Sequence, residues 1–367
     1  PYRVAVIGRT LNRNYGHGID KVWLDIPETK IVAVADDNPR GLEAECRRLK
    51  VDAKHGYTDH RKMLEAEKPD IVAVCQRWLD MHATHVIDAA ERGVRGIYCE
   101  KPMCRTLEEA DAMVAACEKH DVKFCLAHQT RYSPRLKVVE QLLESGRIGQ
   151  VLEYRAHGKE DRRGGGEDLW VLGTHVLNLA NHFGGDPLWC FADVRQDGKP
   201  VTKEHVREGP EGIGPLAGDS VQAMYRMADG ATAYFNSVKD AGGSPSRFGL
   251  TVYGPKGVIE MHTGHLPPVF ILEDSSWTPG RTGKKWLPVT SAGVNEPEPL
   301  EDGGLHGGNK LAVADLIDAI ENDRQPESSI YEGRTAVSMI VSCFESHRVG
   351  GPVTFPLKTR KNPLTLL

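Results

Sequence analysis

Between residues 2 and 127, short, nearly all-apolar, β-branched runs alternate with segments of helical period. Strands that are apolar on both faces must be covered on both faces, and a parallel sheet with helices above and below does this. The runs fall at residues 3–7, 31–35, 71–75, 96–99 and 124–127. Between the last two, Thr106-Leu107-Glu108-Glu109 has the form of a capping box, with Thr106 satisfying an orphan amide and Glu109 reaching back. The helix it opens extends to about His120. The expectation is a doubly wound α/β sheet, which binds ligands beyond the carboxyl ends of its strands. Residues just after each strand therefore matter most.

Length adds a second body to this first one. At 367 residues the chain exceeds one ordinary domain of roughly 100–200 residues. Its 46 Lys and Arg against 51 Asp and Glu leave a net charge of −5, which argues against nucleic acid or an anionic membrane as the main partner. No uncharged apolar run approaches the ~18 residues of a membrane span. The eight cysteines (Cys46, Cys75, Cys99, Cys104, Cys117, Cys125, Cys190 and Cys343) contain no C-x-x-C pair and lie mostly within apolar segments. They read as reduced core residues of a cytoplasmic protein, with no zinc spacing and no disulfide framework, so no metal is expected. A removed export signal is compatible with the same sequence.

The first strand runs into Gly8-Arg9-Thr10-Leu11-Asn12-Arg13-Asn14-Tyr15-Gly16-His17-Gly18. A Gly-x-Gly-x-x-Gly loop lets backbone amides and a helix N-terminus approach a pyrophosphate. Here Gly8 stands alone and the next glycines come eight and ten positions later, so the loop is expanded, with Arg9 and Arg13 available to a phosphate. The plainer reading is a long turn with solvated arginines. The second strand ends at Asp36-Asp37, about 20 residues past the loop, where an acid binds the adenosine ribose. Asp37 adds a second negative charge where a 2′-phosphate would lie, so NAD is favoured over NADP. Asp36 could equally cap the helix that follows Asn38-Pro39.

After residues 96–99 comes Glu100-Lys101-Pro102-Met103. With that turn the chain resembles the glucose-fructose oxidoreductase and inositol dehydrogenase (Gfo/Idh/MocA) family, whose signature is Glu-Lys-Pro after the fifth strand. His82 opens a helix where that family carries a histidine. Arg131-Tyr132-Ser133-Pro134 matches its Arg-aromatic-x-Pro entry, Gly146-Arg147-Ile148-Gly149 its Gly-x-Ile-Gly, and Gly173-Thr174-His175 its Gly-x-His. Tyr253-Gly254-Pro255-Lys256-Gly257 matches a recurrent strand turn, and residues 315–320 and 333–346 resemble its two late helices. The likeness covers nearly the whole chain.

The resemblance implies an NAD(P)-dependent oxidoreductase acting on a secondary hydroxyl or ketone of a sugar, cyclitol or related polyol. Such chemistry needs a base of near-neutral pKa and a cation beside the developing alkoxide. Lys101 and His175 are the expected catalytic pair. Gly8, Arg9, Thr10, Arg13, Gly16, Asp36, Asp37, Gln76, Trp78, His82, Glu100 and Lys101 are the expected cofactor residues. Arg131, Tyr132, Asp168 and Asn178 join Lys101 and His175 at the substrate. The chain departs from the family at two points. Val171 and Asn178 stand where relatives usually carry aspartates around the histidine, with Asp168 one turn further back as a substitute. Gln76-Arg77-Trp78-Leu79 replaces a usual Pro-Asn pair, and Trp78 either stacks on the cofactor or covers the core. These departures keep open a redox-neutral alternative, in which transient sugar oxidation permits elimination of a glycosidic leaving group.

Residues 1–128 are thus expected to form the Rossmann domain and residues 129–367 a substrate-binding and oligomerisation α+β domain. In the second half, residues 151–157, 220–227, 231–237 and 248–254 alternate apolar and polar, with a hairpin turn at Asp229-Gly230. That pattern indicates a large, mostly antiparallel open sheet with one face on helices. The other face would pack on another subunit, giving a homodimer or homotetramer. Residues 204–218 and 279–308 read as long functional or subunit-contact loops. Within or beside the second loop, His306 and Asn309 read as a loop tip and an N-cap more readily than as residues overhanging the site.

Overall fold

The computed structural model describes residues 1–11 and 15–367, so Arg13 of the expanded loop lies outside the described residues. The chain divides into two compact units, one of residues 1–129, 210–214 and 305–334, the other of the remainder. The sequence expectation divides the chain once; two later segments in fact return to the first unit.

The first unit is a six-stranded parallel sheet: β1 (Tyr2–Gly8), β2 (Thr29–Asp36), β3 (Gly56–Tyr57), β4 (Ile71–Val74), β5 (Gly96–Cys99) and β6 (Lys123–Leu126). Their order is β3-β2-β1-β4-β5-β6, that of a Rossmann sheet. The short β3 is not foreseen in the sequence. Each apolar run is buried, as two-sided cover requires. Four helices follow in alternation: α1 (Pro39–Arg48), α2 (His60–Glu67), α3 (His82–Glu91) and α4 (Leu107–Lys119). Thr106 caps α4 by accepting from the Glu109 amide at 3.2 Å. The Glu109 carboxylate reaches one residue beyond the cap, to the Arg105 amide at 2.8 Å.

The second unit opens with α5 (Pro134–Glu144), β7 (Glu153–His157), the short α6 (Gly166–Val171), α7 (Gly173–Gly184) and β8 (Pro187–Gln196). Short strands β9 (Lys199–Pro200), β10 (Arg207–Glu208) and β11 (Pro215–Leu216) follow, then β12 (Ser220–Met227), β13 (Thr232–Val238), β14 (Gly249–Gly254), β15 (Gly257–His262) and β16 (Val269–Leu272). The chain closes with α8 (Pro279–Thr282), β17 (Leu287–Thr290), β18 (Gly293–Val294), α9 (Gly304–Glu321), α10 (Ile330–Val349) and β19 (Val353–Thr354). The large sheet has the order β18-β17-β16-β15-β14-β7-β13-β12-β8-β19, with β9 on β8. Every pairing is antiparallel except β7 with β13.

Several loop expectations change. Residues 204–218 hold the β10–β11 hairpin, and residues 279–308 hold α8, β17, β18 and the start of α9. His306 and Asn309 lie within α9 and not at a loop tip or cap.

Candidate active site

The carboxyl ends of β1 and β2 converge on one acid. Asp36 ends β2 and is 1% exposed. Its carboxylate accepts from the Thr10 amide at 3.0 Å, the Thr10 hydroxyl at 2.5 Å, the Tyr15 hydroxyl at 2.9 Å and the Asn38 amide at 2.9 Å. Asp36 is therefore a latch holding the expanded loop to β2, and the helix cap is Asn38, whose side chain accepts from the Gly41 amide. Burial, then the Asp36 charge, pushes the Tyr15 phenol well above its usual value, so it remains a donor. Gly41 admits this arrangement because a Cβ there would run into the Thr10 side chain. With Asp36 committed, the acid facing outward is Asp37, half exposed.

Asp37 borders a pocket of about 390 Å³ lined by Gly8, Arg9, Asp36, Met81 and His85 among others. Arg9 spans it, its Nε 3.0 Å from Asp37 Oδ2 and its guanidinium NH1 3.0 Å from Asp80 Oδ2. Burial, with His60 beside it, holds the His85 imidazole well below its ordinary value, so the ring against the pocket is neutral.

The neighbouring turns, after β4 and β5, are tied together from below. His82 is fully buried, its Nδ1 2.9 Å from the Pro102 carbonyl and its Nε2 2.8 Å from the Gln76 carbonyl. Both ring nitrogens thus face the backbone of the two turns. Glu100 is also fully buried; its carboxylate accepts from the Lys101 amide and pairs with His17 Nδ1. Burial alone would raise this carboxyl, but the His17 ring and the Lys101 ammonium bring it below the ordinary value. Gly16 faces the same group: a Cβ there would sit 2.7 Å from Glu100 Cδ. Lys101 itself is half-buried and joined to Pro102 by a cis peptide.

A second hub is Asn309, with no exposed surface. Its side-chain oxygen accepts from the Tyr98 hydroxyl at 2.8 Å and the Gln129 amide at 2.9 Å, and its nitrogen donates to the His17 carbonyl at 3.0 Å. His17 is a positioning residue that the sequence reading passed over, and Asn309 one that it read as an N-cap. Both stand in glycine-rich strings, Gly16-His17-Gly18 and Gly307-Gly308-Asn309, and that context is the signal that would have found them.

Buried polar atoms beside these turns have no hydrogen-bond partner among the described residues: Gln76 Oε1, Trp78 Nε1 and Asp80 Oδ1. Such atoms are costly unless a ligand or water satisfies them. With the pocket at β2, they fit a dinucleotide site along the carboxyl edge of the sheet.

In the second unit, Asp168 on α6 is fully buried and accepts from the amides of Lys159 at 3.2 Å and Glu160 at 2.9 Å and from the Ser237 hydroxyl at 2.6 Å. Burial raises its carboxyl above the ordinary value despite these bonds. Its bonds hold the loop after β7. His175 and Asn178, three residues apart, share one face of α7. His175 is half-buried, its ring 6.5 Å from that of Phe248. Asn178 is 1% exposed, and neither Oδ1 nor Nδ2 has a hydrogen-bond partner among the described residues. Arg131 (buried) and Tyr132 (half-buried) lie in the turn Gln129–Tyr132.

Fold and site together define a Rossmann-type protein with a second, α/β unit. The comparisons give the family: residues 2–128 match the oxidoreductase family, NAD-binding Rossmann fold, and residues 140–355 match its C-terminal alpha/beta domain. The chain belongs to the Gfo/Idh/MocA oxidoreductase family. It is 28% identical to levoglucosan dehydrogenase of Pseudarthrobacter phenanthrenivorans over 259 residues, 64% of this chain and 65% of that one. It is 31% identical to D-apiose dehydrogenase of Paraburkholderia graminis over 219 residues, 56% of each. The match thus spans under two thirds of these relatives' length. A solved levoglucosan dehydrogenase, in complex with NADH and L-sorbose, superposes with a TM-score of 0.76 at 21% identity, covering 97% of this chain and 99% of that chain.

Proposed function

We propose that this chain is an NAD-dependent dehydrogenase acting on a secondary hydroxyl of a sugar, cyclitol or related polyol. The observation that carries the reading is the Glu100-Lys101-Pro102 turn at the carboxyl end of β5, fixed by the buried Glu100 beside a row of unpartnered polar atoms. NAD, when bound, supplies the hydride acceptor. Lys101 stabilises the developing alkoxide, and His175 exchanges the hydroxyl proton with solvent. Asn178 offers both a donor and an acceptor group, so it can pair with a neutral hydroxyl in either direction. With Asp168 occupied elsewhere, Asn178, Arg131 and Tyr132 are left to hold the substrate. The division of labour is in the main residues 1–128 for the nucleotide and 129–367 for the substrate, with residues 210–214 and 305–334 grouped with the first unit. The relatives named for levoglucosan and D-apiose support a sugar substrate.

Asp37 favours NAD over NADP. A homodimer or homotetramer through the large sheet is supported by its open face, where Phe191, Met224, Tyr234, Arg155, Thr251, Glu260 and Phe270 lie in cross-strand register, the end residues Phe191 and Phe270 exposed. A cytoplasmic setting is supported by eight free, buried cysteines. The test is reduced-nicotinamide absorbance with protein, NAD and a polyol panel. Net formation with at least one member is expected. Substrate conversion without net reduced nicotinamide would instead establish the redox-neutral alternative, which the replacement of family aspartates by Val171 and Asn178 favours.

A further inference from the structure

We propose that Arg9 is a masked phosphate-binding cation, and that Asp37 sets cofactor choice chiefly by occupying it. The inference rests on the nucleotide reading of the first unit. A lone acid at the end of β2 would disfavour NADP only by repelling its 2′-phosphate. Here the same carboxylate also takes the nearest guanidinium: Arg9 Nε lies 3.0 Å from Asp37, while its other arm is held 3.0 Å from Asp80. Two carboxylates on one guanidinium leave this group of three with a net negative charge.

Among the described residues, the pocket's other basic groups Arg61 and His60 also face a carboxylate. Arg61 Nε and His60 Nε2 lie 2.8 and 2.7 Å from the same Asp88 oxygen. The two acids on Arg9 hold it unequally. Asp80 is the deeper anchor, with its Oδ1 buried and without a hydrogen-bond partner among the described residues, whereas Asp37 is half exposed. Removing Asp37 therefore frees Arg9 Nε at the pocket while Asp80 keeps the side chain in place. A guanidinium held on one side and open on the other is a preorganised phosphate ligand.

The test is direct binding of NADH and NADPH to wild type, Asp37→Ser, Asp37→Asn and Asp37→Ser/Arg9→Ala, with 2′,5′-ADP as competitor. Because Asp37 is half exposed, its replacement leaves the core intact. One charge-assisted hydrogen bond gained and one repulsion removed should tighten NADPH binding on the order of tenfold to a hundredfold in both single variants. NADH should weaken severalfold, and the NADPH gain should shrink as salt rises. Arg9→Ala in the Asp37→Ser background should remove most of the gain, leaving only the part due to lost repulsion. If the double variant keeps the whole gain, repulsion alone explains the preference and the masked-cation proposal is overturned. No NADPH gain in either single variant overturns it too. Failure of wild type to bind NADH would overturn the nucleotide reading beneath it, a distinguishable outcome.

Discussion

Asn309→Ala is the perturbation whose cost the geometry fixes best. The side chain has no exposed surface and makes three hydrogen bonds, two to the buried Tyr98 hydroxyl and Gln129 amide and one to the His17 carbonyl. Truncation strands the first two in a dry environment, each at about 1–3 kcal/mol, while the His17 carbonyl is near enough to the surface to find water. The contributions are not additive, because Tyr98 and Gln129 share one acceptor and relax together, so the expected total is about 2–4 kcal/mol. Global unfolding of a two-unit chain mixes transitions, so the readout should be hydrogen exchange of the β5 amides, which report the first unit. Tyr98→Phe removes the stranded hydroxyl, and in that background Asn309→Ala should cost about 1 kcal/mol less. A loss below about 1 kcal/mol in β5, or no coupling to Tyr98→Phe, would refute the hub.

Other expectations follow from the same network. Gly16→Ala places a methyl 2.7 Å from Glu100 Cδ, and because Glu100 is buried and held by the Lys101 amide and His17, the carboxylate cannot swing aside. It should cost about 1–3 kcal/mol in the first unit and weaken NADH binding, measured by exchange and titration. In the second unit, burial would raise the Glu298 carboxyl, but bonds from Ser291 and Arg135 hold it down at about 2. Its folded value lies below its unfolded one, so its contribution is complete above the ordinary carboxylate range and is lost as pH falls toward about 2. Glu298→Gln should lower stability at neutral pH and flatten the acid limb of a urea midpoint against pH; an unchanged limb would contradict the assignment.

The strands of the first unit were legible because two-sided burial leaves unbroken apolar runs. The two-residue β3 is too short to carry a pattern. In the second unit β8 escaped notice because its outward positions include Leu188 and Phe191, which blur the alternation that marks a half-exposed strand. The start of α9 read as loop because of Gly303, Gly304, Gly307 and Gly308. At Gly308 a Cβ would press on the Gln129 side chain, so close packing is one reason for the glycine there. At the site, position just past a strand end drew attention to the acids after β2, and the family signature drew it to Glu100 and Lys101. Position could not distinguish Asp36 from Asp37, because which carboxylate turns inward depends on Thr10 and Tyr15 arriving from a loop of unusual length. Nor could it place His82 beneath the cofactor turns, because a histidine that opens a helix reads alike whether it faces ligand or two carbonyls.

The most direct test of the central claim compares wild type with Lys101→Met in two assays on the same preparations, NADH binding by titration and reduced-nicotinamide formation with NAD and the best polyol of the panel. The account predicts NADH dissociation constants within a few-fold of each other and turnover confined to the wild type. Comparable turnover in Lys101→Met would contradict it.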